Sequence, residues 1–208
     1  MFFHTLDPAA RELFIGLGRE PWIGAFYLAG GSAAALHLGH RVSVDLDFFS
    51  EQAYEVEPLF QQLQILGRLT VQQQSPGTMV GRLGKVRISF FAYPYPLLEE
   101  LILVDGVRMA GLLDIALIKI IAIGQRGRMR DFVDLYFICR AGWSLDELLR
   151  RISQKYATVS YPSYHLLRIL TYFDDAEGDE PPKMLVDFTW PEVKRFFGEE
   201  VKRLMEAL

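Results

Sequence analysis

Cysteine is nearly absent from this sequence. Cys139 is the only one in 208 residues, so no internal disulfide can form. It sits in the apolar run Tyr136-Phe137-Ile138, which suits a small buried residue in a reducing compartment. Histidine is scarce too, with four copies. His37 and His40 lie three apart with no third His or Cys close in sequence, which argues against zinc. An excess of positive charge is also missing: 22 Lys and Arg against 26 Asp and Glu leave −4. That excludes a protein gripping nucleic acid by bulk charge, though not one using a local basic patch. No apolar run is long enough for a bilayer, since 112–124 is short and contains Asp114 and Lys119. The start of the chain lacks the basic residues of a signal peptide. The expectation is a cytoplasmic protein with no membrane partner. Half the residues are hydrophobic and 13% aromatic, enough to fill a sizeable core and to exclude general disorder.

What is there reads as an α/β (α+β) chain. Asp7-Pro8 predicts a capped helix to about residue 17. The run 25–29 predicts a buried strand, Gly30-Gly31-Ser32 a break, and 33–38 a helix closed by Gly39. Alternation over 44–49 predicts a strand, 58–66 a helix, and 68–73, 78–82 and 86–92 a meander. A last short strand is expected around 107–109. Helical periods follow near 112–124, 129–140, 144–156, 162–173 and 190–206, with Ser144 and Glu147 forming a capping box. The acidic stretch 174–182 lacks EF-hand order and reads as a solvated loop. The expected organisation is a core over 1–110 and a helical region over 111–208 that completes the site.

The chemistry concentrates between residues 30 and 47. Glycines at a strand-to-helix turn let a ligand approach closely, and a helix start favours phosphate. Ser32 can cap that helix or donate to a phosphate oxygen. Asp45 and Asp47, two apart on a strand, leave on one face while Val44, Leu46 and Phe48 face the other. Two adjacent carboxylates repel and call for a cation, unless the strand merely carries a wet acidic face. Lys119, in an apolar helix, either snorkels to the surface or has an anionic partner. Asp131 and Asp134 share one side of a helix, where the former can also serve as a cap. Arg126, Arg128 and Arg130 are solvated arginines or contacts for a triphosphate or an RNA backbone. Arg41 is either a phosphate contact or a local partner of Asp45 or Asp47.

The joint pattern resembles the nucleotidyltransferase superfamily: Gly-Gly-Ser, a short helix, then Asp-x-Asp. The runs 28–36 and 41–49, with 114–119 and 130–136, look like its AbiEii/AbiGii toxin branch. The resemblance implies a nucleotidyltransferase-like mixed sheet with flanking helices, followed by a helical C-terminal region. It implies a transferase moving a nucleoside monophosphate from an NTP to a hydroxyl, tRNA being one acceptor, with a cognate antitoxin protein as partner. Mg²⁺ (or Mn²⁺) would sit on Asp45 and Asp47. Gly30, Gly31, Ser32 and Arg41 would bind nucleotide; Lys119 would contact phosphate. Asp131 would assist the acceptor or the lysine, and Asp134 would orient. The third carboxylate common in such enzymes belongs on the strand 86–92, where the expected slot holds Ser89. That departure keeps a second function in view: a catalytically degraded nucleotide-binding module working as a sensor or partner-binding subunit. An α/β interaction protein without nucleotide chemistry is a third.

Overall fold

The computed structural model describes residues 1–207. α1 (Pro8–Leu17) starts where Asp7 accepts the Ala9 N–H at 3.0 Å, with Pro8 in the first turn. β1 (Tyr27–Ala29) is wholly buried and runs directly into α2 (Gly30–Leu38). The glycines predicted as a break therefore form the first turn of the helix itself. Gly39 ends α2 in the left-handed region, as its position predicts. β2 (Asp45–Ser50) and α3 (Val56–Leu66) follow, then the meander β3 (Leu69–Ser75), β4 (Thr78–Leu83) and β5 (Val86–Ala92). β6 (Ile102–Val104) and β7 (Val107–Met109) form a hairpin, where one strand was expected. Its turn is Asp105-Gly106, both at positive φ, the geometry of a tight two-residue hairpin.

The strands make one mixed sheet in the order β3-β4-β5-β2-β1-β7-β6. β2 lies antiparallel to β1 and parallel to β5, at the middle of the sheet. α4 (Leu112–Arg126) and α5 (Met129–Arg140) pack on each other and against α2. α6 (Leu145–Lys155) begins at Ser144, whose hydroxyl accepts the Glu147 N–H. α7 (Ser163–Ile169) stops short of the predicted 173, and the Thr171 hydroxyl donates to the Arg168 carbonyl there. α8 (Asp174–Glu177) is a single turn inside the expected loop, and α9 (Trp190–Met205) closes the described chain. One apolar core runs from Leu6 to Leu204 through both halves. No helix among the described residues is long and apolar enough to cross a membrane. Burial pushes the Cys139 thiol up to about 12, consistent with an inert packing residue.

A buried ion pair ties the C-terminal helices to the core. Asp114, fully buried on α4, accepts the backbone N–H groups of Leu98 and Glu99. It also accepts from Lys155 Nζ at 2.6 Å, and that lysine, itself fully buried, donates to the Pro96 carbonyl. Asp114 keeps two partners without the lysine. Lys155→Met is therefore expected to cost about 2–3 kcal/mol, read as a lower urea midpoint at unchanged slope.

Candidate active site

Three strands and three helices bring the site together. Asp45 and Asp47 project from β2 onto one face and are both partly exposed. Leu46 and Phe48 are fully buried on the other, as the alternation predicts, whereas Val44 precedes the strand and is exposed. β1 aligns Ala29 with Asp47, so the start of α2 meets this carboxylate. Gly30 adopts φ +65°, and a Cβ there would lie 3.3 Å from Asp47 Oδ2. A Cβ on Gly31 would collide with Arg41 Nη2 and approach Asp134 Oδ2 to 3.6 Å. The glycine pair is thus wedged between the Asp45-Asp47 strand and a second charged group. Ser32 is buried, its hydroxyl bonded to the Asp45 carbonyl and the Ser43 hydroxyl, which fixes the loop leading into β2.

The second group is a buried network built by α4 and α5. Lys119 Nζ lies 2.7 Å from Asp131 Oδ1 and 2.6 Å from Asp134 Oδ2. Of the two readings open from the sequence, the anionic partner applies, twice over. Arg41 donates to both oxygens of Asp134, at 2.6 and 2.8 Å, and His40 Nε2 lies 2.8 Å from Oδ1. Arg126 grips Asp131 in the same two-point manner, at 2.8 and 3.0 Å. Burial alone would raise Asp134; Arg41 and Lys119 beside it hold its carboxyl well below the usual range. Asp131 is likewise lowered against its burial, by Lys119 and Arg126. Asp47 goes the other way: burial raises its carboxyl and Asp45 adds to the push, while Ser89, Lys119 and Arg87 pull it down.

The arginines separate into distinct environments. Arg41 was expected at phosphate or beside Asp45 or Asp47. It is instead buried on Asp134, with its remaining arm on the Val42 carbonyl. The strap Lys183–Leu185 covers it by pairing with His40 and Val42. Arg128 turns away to Asp179 at 2.6 Å, and Asp179 also caps the start of α5 through the Met129 N–H. Arg130 comes back to Asp45 at 3.6 Å, and Arg87 from β5 reaches the same oxygen at 3.8 Å. Ser89 stands in register with Asp47, as Arg87 does with Asp45. Its hydroxyl is buried and makes no hydrogen bond of ordinary geometry among the described residues.

Two participants escaped the sequence reading. Arg87 was legible by the same two-residue period that exposed Asp45 and Asp47. His40 was not, because its partner is 94 positions away.

The family model of the nucleotidyl transferase AbiEii toxin of type IV toxin–antitoxin systems matches residues 11–187. The chain belongs to this family. A relative from Aquifex aeolicus, the uncharacterised protein aq_aa25, is 38% identical over 186 residues, 87% of this chain and 88% of the relative. Among solved structures, a protein from Helicobacter pylori assigned provisionally as a nucleotidyltransferase shares the fold. It has a TM-score of 0.50, 17% identity, and coverage of 95% of this chain and 94% of its own. JHP933, also from Helicobacter pylori, aligns at a TM-score of 0.47 with 14% identity, over 95% of this chain and 92% of its own. The chain is accordingly a nucleotidyltransferase-fold protein of the transferase class, and the charged residues of the candidate site gather where α2 meets β2.

Gly31→Ala tests how tightly the candidate site is closed. Its new methyl meets a guanidinium that Asp134 holds in place, so a loss of about 1–3 kcal/mol is expected in chemical unfolding. Gly16→Ala, with open space at the Cβ and an ordinary helical setting, is expected to leave stability within about 1 kcal/mol.

Proposed function

We propose that this chain is a divalent-cation-dependent nucleotidyltransferase toxin that moves a nucleoside monophosphate from an NTP to a hydroxyl acceptor, tRNA being one such acceptor. The observation that carries the reading is the glycine turn at the start of α2, with Asp47 on one side and the Arg41–Asp134–Lys119 network on the other. Backbone N–H groups at a helix start suit a triphosphate, and glycine at these two positions lets Asp47 and Arg41 come close to that backbone. Ser32 acts chiefly by holding the Asp45 loop.

The residues also fit a divalent cation. Asp45 and Asp47 share one face, and Asp47 has no ion pair among the described residues while burial and Asp45 both work against its charge. Magnesium is commonly held by one or two carboxylates with phosphates completing its shell. Among the described residues no third His, Cys, Asp or Glu joins them, so phosphate oxygens would supply further contacts. A cation bound there would offset the negative charge on the phosphate oxygens.

Transfer would form a bond from the acceptor oxygen to the α-phosphorus and break the bond to the bridging oxygen. The hydroxyl proton passes to water, and pyrophosphate departs with the bridging oxygen. The chain's own contribution is placement and electrostatics. Gly30 and Gly31 seat the triphosphate, and Asp45 and Asp47 fix the face it meets. Lys119, held rigidly by Asp131 and Asp134, supplies positive potential without reaching out. Asp131 acts through the lysine and Arg126, and Asp134 orients Lys119 and Arg41.

Ser89 favours a second reading, a nucleotide-binding module without transfer, because a hydroxyl stands beside Asp47 where related enzymes carry a carboxylate. Each of the four α-³²P-labelled NTPs, with Mg²⁺ and total RNA, separates the two. Label on RNA is the expected result. Tight NTP binding with no label on RNA or protein overturns transfer and leaves the binding module.

A further inference from the structure

The cations of this site fall into two mechanical classes. Arg41 and Lys119 are buried and bonded at 2.6–2.8 Å, so neither can leave its carboxylate without stranding a charge. Arg87 and Arg130 are different. Their side chains are 40% and 44% exposed, and both point at one oxygen, Asp45 Oδ2, from 3.8 and 3.6 Å. At those distances they are attracted to it without a directional hydrogen bond. Such contacts are weak and exchange readily.

We propose that Arg87, assisted by Arg130, guards Asp45 while the site is empty of ligand and passes to the triphosphate when a divalent cation takes that carboxylate. The inference rests on the nucleotidyl-transfer reading and assigns a new residue within it. An oxygen coordinating a metal cannot also hold two guanidinium groups, so the arginines are displaced at the step that brings phosphate alongside. Register fixes where Arg87 stands: it lies opposite Asp45 as Ser89 lies opposite Asp47. β5 therefore presents a cation and a buried hydroxyl to the carboxylate pair. Both groups can serve a phosphate oxygen, and neither matches the needs of a second metal. The strand that would carry a further metal ligand carries phosphate-binding chemistry instead.

This swap predicts opposite signs for two affinities. Arg87→Gln removes a competitor for Asp45 and a contact for phosphate at once. Mn²⁺ alone, followed by electron paramagnetic resonance on the full chain, is expected to bind Arg87→Gln about two- to fivefold more tightly than wild type. Inorganic tripolyphosphate in saturating Mg²⁺, followed by calorimetry, is expected to bind it about tenfold more weakly. Arg128→Gln removes the same charge from a residue paired with Asp179 and should move neither value by more than about twofold. Equal shifts in Arg128→Gln would mean a general charge effect and overturn the proposal. So would two Arg87→Gln affinities that move together or not at all, with wild-type binding intact. If the wild type binds no tripolyphosphate with either cation, the nucleotide reading falls and this inference with it.

Discussion

Asp134→Ala is expected to remove about 3–5 kcal/mol of folding stability, lowering the melting temperature by about 10 °C. The reason is what the carboxylate leaves behind. Arg41 is buried and directs two donors at it, and Lys119 and His40 bond the same group. Removing it strands a guanidinium under the strap 183–185, where water has little access. Lys119 still has Asp131, so the loss falls mainly on Arg41. Asp134→Asn keeps the shape but loses the charge and is expected to lie between wild type and alanine. The pH dependence follows from the same contacts. Asp131 and Asp134 have folded-state values below the ordinary 3.8. Their stabilisation is complete above that unfolded value and disappears as pH falls through the lower folded ones. The wild-type stability should therefore drop steeply below about pH 4, and the Asp134→Asn curve should be flatter there. Urea titrations from pH 2 to 7 check both slopes.

Much of this fold was legible because hydrophobic period and end signals agree. Asp7-Pro8 marks α1, Gly39 marks the end of α2, and α5 spans 129–140 in both sequence and structure. The β2 face was legible for the same reason: two acidic residues on a buried strand have only one side available. β7 was expected at 107–109, but its partner β6 escaped because its three residues are too few to show a period, although Asp105-Gly106 carried the turn. The network was only half legible. Lys119, Asp131 and Asp134 lie on two neighbouring helices, and an apolar setting demands a partner for each charge. Arg41 is chemically similar whether it faces phosphate or a carboxylate 93 residues away, and nothing local distinguishes the two. The ordinary demand that buried charge be paired decides between them once α2 is packed against α5. The charges that sequence composition leaves almost balanced are therefore sorted in space into those that hold the scaffold and those near Asp45.

Asp47→Asn is expected to lower nucleotidyl transfer by about a thousandfold or more while raising the melting temperature. The two effects have one source. Burial and Asp45 push the Asp47 carboxyl above its ordinary value, so at neutral pH folding holds an ionised group in surroundings that disfavour it. Asparagine fills the same volume without that charge. It removes the repulsion with Asp45 and cannot serve as an anionic ligand for a cation. The gain should be largest near pH 7 and vanish below about pH 4, where Asp47 is protonated in folded and unfolded chains alike. That trend is opposite in sign to the one expected from Asp134, although both are aspartates at the same site. Asp45→Asn should cost comparable transfer with a smaller gain in melting temperature, because Arg87 and Arg130 already offset the Asp45 charge. A melting temperature that falls in Asp47→Asn would mean that Asp47 is held by contacts of its own, and that the strain assigned to the pair is absent. A rise accompanied by full transfer would remove Asp47 from the chemistry altogether. The expected pairing, more stable and inactive, is the behaviour of a carboxylate kept for a ligand rather than for the fold.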